Sequence, residues 1–148
     1  MEQPKTSLRV KVRKEYLPFY KDVIKKHLFA RHSEFFTLCA NIGYKYGKVD
    51  EAYRGIELCQ AYTFTPYQRT VLQTLIYKDK KKIVDDVTMF EEAEQYADAG
   101  FRYLVQHVIA DVVTQVNDGE YTLSLGEEQE LQLLLAKFVQ KEMASVPF

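Results

Sequence analysis

Apolar residues recur along most of this chain at intervals of three and four, the spacing that gathers them on one face of an α-helix. Phe19, Val23, Ile24 and Leu28 follow Pro18, which suits a first helical turn, and they predict a helix over about 17–28. Phe35, Phe36, Leu38, Cys39, Ile42 and Tyr46 make a broader stripe, with Ser33 placed to cap its start and Gly47 to stop it. Thr65-Pro66 opens a third helix, whose buried face is Val71, Leu72, Leu75 and Ile76. The charged run Lys78–Lys82 interrupts the pattern. Asp86 or Thr88 then caps a long helix over about 88–116, apolar from Phe90 to Val113. Gly100 lies inside it and disfavours helix by about 1 kcal/mol relative to Ala, so a kink or close packing is expected there. Asn117-Asp118-Gly119 marks a turn. Leu131, Leu134, Leu135, Phe138 and Val139 predict a last helix over about 126–144.

One segment keeps a different period. Residues 7–13 alternate, with Leu8, Val10 and Val12 on one side and Arg9, Lys11 and Arg13 on the other, the pattern of a short strand. Residues 48–64 read as a connecting loop, with a helical turn around Tyr53–Cys59. The expected fold is all-α: a helical bundle of about five helices with one short N-terminal β-strand, in a single domain spanning 1–148.

Composition adds little to the fold but narrows the function. A chain with 47% hydrophobic and 28% charged residues is globular in character. Its eleven Tyr and no Trp point to a half-wet core edge or a contact surface. No run approaches the roughly 20 apolar residues that span a bilayer, and the first residues lack the apolar core of an export signal. Cys39 and Cys59 have no CxxC spacing and are expected as reduced thiols, which places the protein in the cytoplasm, without a membrane partner.

Charge changes the picture more. The net charge is only −1, yet residues 1–82 carry +9 and residues 83–148 carry −10. Such polarity implies an anionic ligand at one end, a basic partner at the other, or head-to-tail association. A lone strand is marginal unless it pairs, so a homodimer is expected.

Three constellations carry candidate chemistry. A basic alternating strand followed by two helices has the order of a ribbon-helix-helix unit, in which paired strands enter the DNA major groove with Arg9, Lys11 and Arg13 facing the bases. Lys14, Lys21, Lys25, Lys26 and Arg31 would add phosphate contacts, since nine Lys and Arg crowd into residues 5–31. Arg102 and His107 reproduce the Arg-x4-His spacing of HEPN ribonucleases, where His would act in acid–base catalysis and Arg would stabilise phosphate charge. Five helical residues turn that pair about 140° apart. Glu91, Glu92, Glu94 and Asp98 read as a solvated acidic face that complements a helix dipole. There is no phosphate loop, HExxH, CxxC or GxSxG, and His27, His32 and His107 lack metal-ligand spacing, so neither a cofactor nor a metal is expected.

Two blocks together resemble a known family. Phe35-Phe-Thr-Leu-Cys-Ala-Asn-Ile-Gly-Tyr-Lys-Tyr-Gly47 and Met89-Phe-Glu-Glu-Ala-Glu-Gln-Tyr-Ala-Asp-Ala-Gly-Phe-Arg-Tyr-Leu104 are similar to segments of the dnd system-associated accessory proteins, encoded beside DNA phosphorothioation genes. Ala99-Gly100 stands where that pattern has two glycines. The resemblance implies a bacterial or phage setting and a role in DNA modification or defence, without an assigned catalytic residue. The expected function is therefore a non-enzymatic accessory protein that binds DNA or a protein of such a system through its basic N-terminal half. The alternatives are a HEPN-like ribonuclease and an adaptor or inhibitor that uses the acidic C-terminal half.

Overall fold

In the computed structural model, which describes residues 8–47, 53–116 and 118–144, the centre of the fold is the crossing of α2 (His32–Tyr46) and α4 (Asp86–Tyr103). Two glycines make that crossing unusually close. A Cβ on Gly43 would lie 1.8 Å from the Tyr96 carbonyl oxygen, and one on Gly100 would lie 1.7 Å from that of Cys39. The helices meet backbone to backbone, with Ala40, Ala93 and Ala97 buried alongside. Close packing, not a kink, is why glycine stands at 100.

Aromatic rings fill the wedges on either side. Phe19 and Tyr20 of α1 (Leu17–Lys25) pack with Phe35 and Phe101 at centroid distances of 4.9–5.9 Å. Phe64 bridges Phe36 and Phe90, beneath Leu72 and Ile76 of α3 (Pro66–Lys80). The last helix, α5 (Glu128–Ala144), leans on this body through Leu131 and Leu135.

Local side-chain caps set the starts of α3 and of α4 but not of α2. Thr65 and Gln68 exchange side-chain and backbone hydrogen bonds in a reciprocal capping box, with Pro66 at the first helical position. Asp85, the residue before the two expected caps, accepts from the Thr88 N–H at 2.9 Å. Ser33 does not cap α2. It lies inside the helix, 1% exposed, with its hydroxyl unpartnered among the described residues, while Arg31 holds the cap position.

The fold is not all-α. Helices cover 67% of the structure and five are present, but two small antiparallel two-stranded sheets accompany them. The first strand, β1 (Arg9–Arg13), pairs with β2 (Gly55–Gln60) of the same chain, from Arg9 opposite Gln60 to Arg13 opposite Gly55, with a bulge after Val10. Here the sequence pattern predicted a loop and a helical turn; part of that loop, 48–52, lies outside the described residues. Pairing with β1 sets Leu58 against the core and satisfies backbone groups that a loop would leave to water.

The second correction concerns the long helix expected over 88–116. The α-helix ends at Tyr103, widens into a π-turn at Leu104–Val108, and tightens into a 3₁₀ turn at Ala110–Val112. The chain then forms the hairpin β3 (Val113–Gln115) and β4 (Tyr121–Leu123). Of the expected turn, Asn117 lies outside the described residues, and Gly119 adopts φ +88°, a conformation glycine tolerates best. The Leu123 N–H donates to the Asp22 carboxylate at 3.0 Å, tying the hairpin to α1. Helical spacing misleads here because Ile109 and Val112 are buried whether the backbone is helical or not.

Part of the charge polarity of the sequence is paired within the fold. Arg13–Asp98, Lys26–Glu128, Lys45–Glu142, Arg69–Asp86 and Lys80–Glu92 each join the basic half to the acidic half. The strand expected to need a second copy thus finds its partner, β2, within the chain, and part of the opposite charge is paired there too. Among the described residues no helix is long and apolar enough to cross a membrane.

Candidate functional site

Alternation in β1 works as the sequence implies: Val10 and Val12 are buried, while Arg9, Lys11 and Arg13 lie opposite. The three basic residues then part ways. Arg9 pairs with Glu57 on the neighbouring strand at 3.2 Å. Lys11 is exposed at the side chain, and its N–H donates to Glu94 Oε2 at 2.9 Å, so α4 covers the outer edge of β1. That edge is closed to a second strand. The geometry of a ribbon-helix-helix dimer is absent among the described residues.

Arg13 is drawn inward. Its Nε and Nη2 donate to the two carboxylate oxygens of Asp98, each at 2.9 Å, and Tyr53 lies under the guanidinium at 4.5 Å. Arg102 Nη2 donates to the same Asp98 Oδ2 at 2.8 Å. Asp98 is only 7% exposed, so the acidic face expected on this helix is in part the buried anchor of two arginines. The paired carboxylate holds the Arg13 guanidinium above its ordinary pKa, against the opposing effect of burial.

Glu94, one turn before Asp98, is the other carboxylate at this seam. Burial pushes it up to about 7, outweighing the stabilising Lys11 N–H, with Glu91 adding repulsion. A carboxyl that keeps its proton longer when folded stabilises at low pH, and that contribution is lost as pH rises from about 4.5 through 7. Wild type is therefore expected to lose stability between pH 5 and 8. Glu94→Gln, which keeps an acceptor for Lys11, should remove on the order of 1–3 kcal/mol of that loss. Urea titrations of both proteins at the two pH values check this; parallel pH profiles would count against it.

Arg102 also acts on Tyr16, its positive charge opposing the burial that raises the Tyr16 hydroxyl above its ordinary pKa. It lines a polar cavity of about 430 Å³ with Arg13, Glu15, Tyr16, Gln115, Gly119 and Tyr121. Three parts of the chain build that space: the end of β1 with the turn after it, α4, and the β3–β4 hairpin. A neighbouring hollow of about 460 Å³ shares Arg13 and Glu15 and adds Lys14, Tyr53 and Arg54. Tyr16 forms the rigid wall between core and cavity, stacked at 4.0 Å on Phe101 and edge-on to Tyr121 at 5.5 Å.

His107 does not join this cavity. It lies in the π-turn, exposed, with its ring 4.6 Å from Tyr103, which stacks on Tyr46 beside Phe138 of α5. Arg102 and His107 therefore face different neighbours, each reaching back four residues along the chain. Arg102 is half-buried and His107 is exposed.

The other basic candidates are exposed. Lys14, Lys21, Lys25 and Arg31 are exposed and make no ion pair among the described residues, while Lys26 pairs with Glu128 at 3.1 Å. Lys21 and Lys25 lie one turn apart on the outer face of α1, opposite buried Phe19 and Val23. Among the described residues no group of three or more His, Cys, Asp or Glu is placed to hold a metal ion.

Sequence reasoning missed Asp98 as an arginine anchor, and it missed Tyr16, Arg54, Gln115 and Tyr121. The hairpin signal was present in Val-Thr-Gln-Val before Asn117-Asp118-Gly119 and Tyr-Thr-Leu after Glu120. No protein-family model, curated protein or solved structure matches this chain.

Proposed function

We propose that this protein is a non-enzymatic binding module that contacts nucleic acid through the basic surface of its N-terminal half. The observation that carries this reading is the set of exposed cations left over after folding. Lys14, Lys21, Lys25 and Arg31 are exposed and make no ion pair among the described residues, while Asp86, Glu92, Asp98, Glu128 and Glu142 of the acidic half are engaged by basic residues. Unpaired surface cations are what phosphate contacts use. The adaptor reading would have to rest on the other acidic residues of 83–148, since these five are already engaged. The ribonuclease reading loses ground from the separate surroundings of Arg102 and His107.

The resemblance to the dnd system-associated proteins supports an accessory role in DNA modification or defence in a bacterium or phage. Its two blocks coincide with α2 and α4, and Gly43 and Gly100 within them serve the helix crossing. The likeness therefore bears on architecture more than on chemistry. Cys39 and Cys59, both free thiols and both raised in pKa by burial, suit a reducing cytoplasm.

The test is a salt series. Lys21→Ala/Lys25→Ala/Arg31→Ala is expected to weaken binding of a DNA oligonucleotide by about tenfold or more at low salt. It should also reduce the slope of log K against log salt by roughly two to three units, about one for each lost phosphate contact. Stability should stay within about 0.5 kcal/mol, because none of the three is buried. An unchanged slope sinks the assignment of this surface, and no wild-type binding at low salt sinks the nucleic-acid reading as a whole.

A further inference from the structure

We propose that the cavity between Arg13, Arg102 and the β3–β4 hairpin binds a phosphate monoester, the group carried by a phosphorylated nucleic-acid end or a free nucleotide. The proposal draws on the nucleic-acid reading only for the source of that group; the site itself rests on its own geometry.

Asp98 turns two flexible arginines into a fixed pair. Its carboxylate takes two N–H groups of Arg13 and one of Arg102 from within the protein. A guanidinium has five N–H donors, so Arg13 keeps three beyond those bonded to Asp98. Both arginines line the cavity, with side chains 25% and 29% exposed. Tyr16 brings its hydroxyl, which can donate or accept, to the same wall. Holding donors in place before a ligand arrives removes much of the ordering entropy that binding otherwise costs.

Charge and size select the ligand class. Among the described residues, Arg13, Lys14, Arg54 and Arg102 line the cavity and the adjoining hollow against one lining carboxylate, Glu15, with Asp98 bonded to Arg13 and Arg102. A phosphate monoester near neutral pH carries close to two negative charges, whereas a diester carries one. The volume of about 430 Å³ lies in the lower range of small-ligand pockets, and its lining is mainly polar with tyrosine rings at the wall. Neutral or apolar ligands would leave the remaining Arg13 donors unmatched.

Two substitutions give opposite signs. Arg102→Gln removes one cation, while Arg13 still holds Asp98, and should weaken binding of inorganic phosphate by at least tenfold. Glu15→Gln removes the carboxylate on the cavity wall, which makes no hydrogen bond or ion pair among the described residues, and should tighten binding about threefold. The measurement is amide and side-chain NMR titration of the full chain with inorganic phosphate, then with adenosine 5′-monophosphate. Saturable shifts at Arg102, Gln115 and Tyr121, changed in these two directions, support the site. Shifts that do not saturate, or affinities that neither variant moves, overturn it. Oligonucleotides with a 5′-phosphate or a 5′-hydroxyl then separate the sources. A tenfold preference for the phosphate supports a strand end, and equal affinities alongside tight nucleotide binding support a free monoester. The Lys21→Ala/Lys25→Ala/Arg31→Ala protein should keep its phosphate titration, so failure of the surface reading and failure of this site are distinguishable.

Discussion

Replacing Gly100 by alanine is expected to destabilise the fold by about 3 kcal/mol or more, enough to lower the melting temperature by roughly 10 °C. Helix propensity argues the other way, since alanine favours a helix interior by about 1 kcal/mol over glycine. Sterics decides the sign. The new Cβ would sit 1.7 Å from the Cys39 carbonyl oxygen and 2.8 Å from the Gly43 nitrogen, and backbone atoms cannot swing aside as a side chain can. Relief requires α2 and α4 to separate, which opens voids around Ala40, Ala93 and Ala97 along the crossing. Gly43→Ala should behave alike, with its Cβ 1.8 Å from the Tyr96 oxygen. Thermal unfolding followed by circular dichroism is the check. A Gly100→Ala protein as stable as wild type would mean that the helices do not touch as described.

The second large effect is at Asp98. Asp98→Ala removes the shared anion and leaves two arginines facing each other in a site where the carboxylate side chain was 6% exposed. Breaking a buried pair from one side costs about 3–5 kcal/mol, because the remaining charge loses its partner in a poorly solvated place. Arg102, at 29% exposure, can turn partly toward water, so the lower end of that range is expected. Arg13→Met/Asp98→Leu should recover much of the loss by removing charge and counter-charge together. Denaturant midpoints of the single and double variants form the test. A loss under about 1 kcal/mol for Asp98→Ala would show that the cluster is a solvated surface pair after all.

These two sites also mark the limit of what linear pattern conveys. Gly100 was visible as an anomaly in a helix, and close packing was one of its two readings, because a residue that weakens a helix needs a compensating contact. Its partner, Gly43, lies 57 positions away and carries no such flag when read as part of an aromatic stripe ending at Gly47. Asp98 looked like one more acid on a charged helix. Nothing local told that β1 would deliver Arg13 to it from 85 residues upstream.

The sequence by itself determined the helices and their apolar faces, since the 3.6-residue period and the Thr65-Pro66 start depend only on near neighbours. It also determined that Val10 and Val12 oppose Arg9, Lys11 and Arg13, since a strand alternates whatever it pairs with. Tertiary structure alone decided the rest. It set β2 against β1 where a loop was expected, because strand pairing is settled by a distant partner and not by the residues in between. It ended α4 at Tyr103, because Ile109 and Val112 can reach the core from turn and strand as well as from helix. And it assembled the cavity from β1, α4 and the hairpin, a site with no motif, because its donors converge in space from three parts of the chain that share no spacing in sequence.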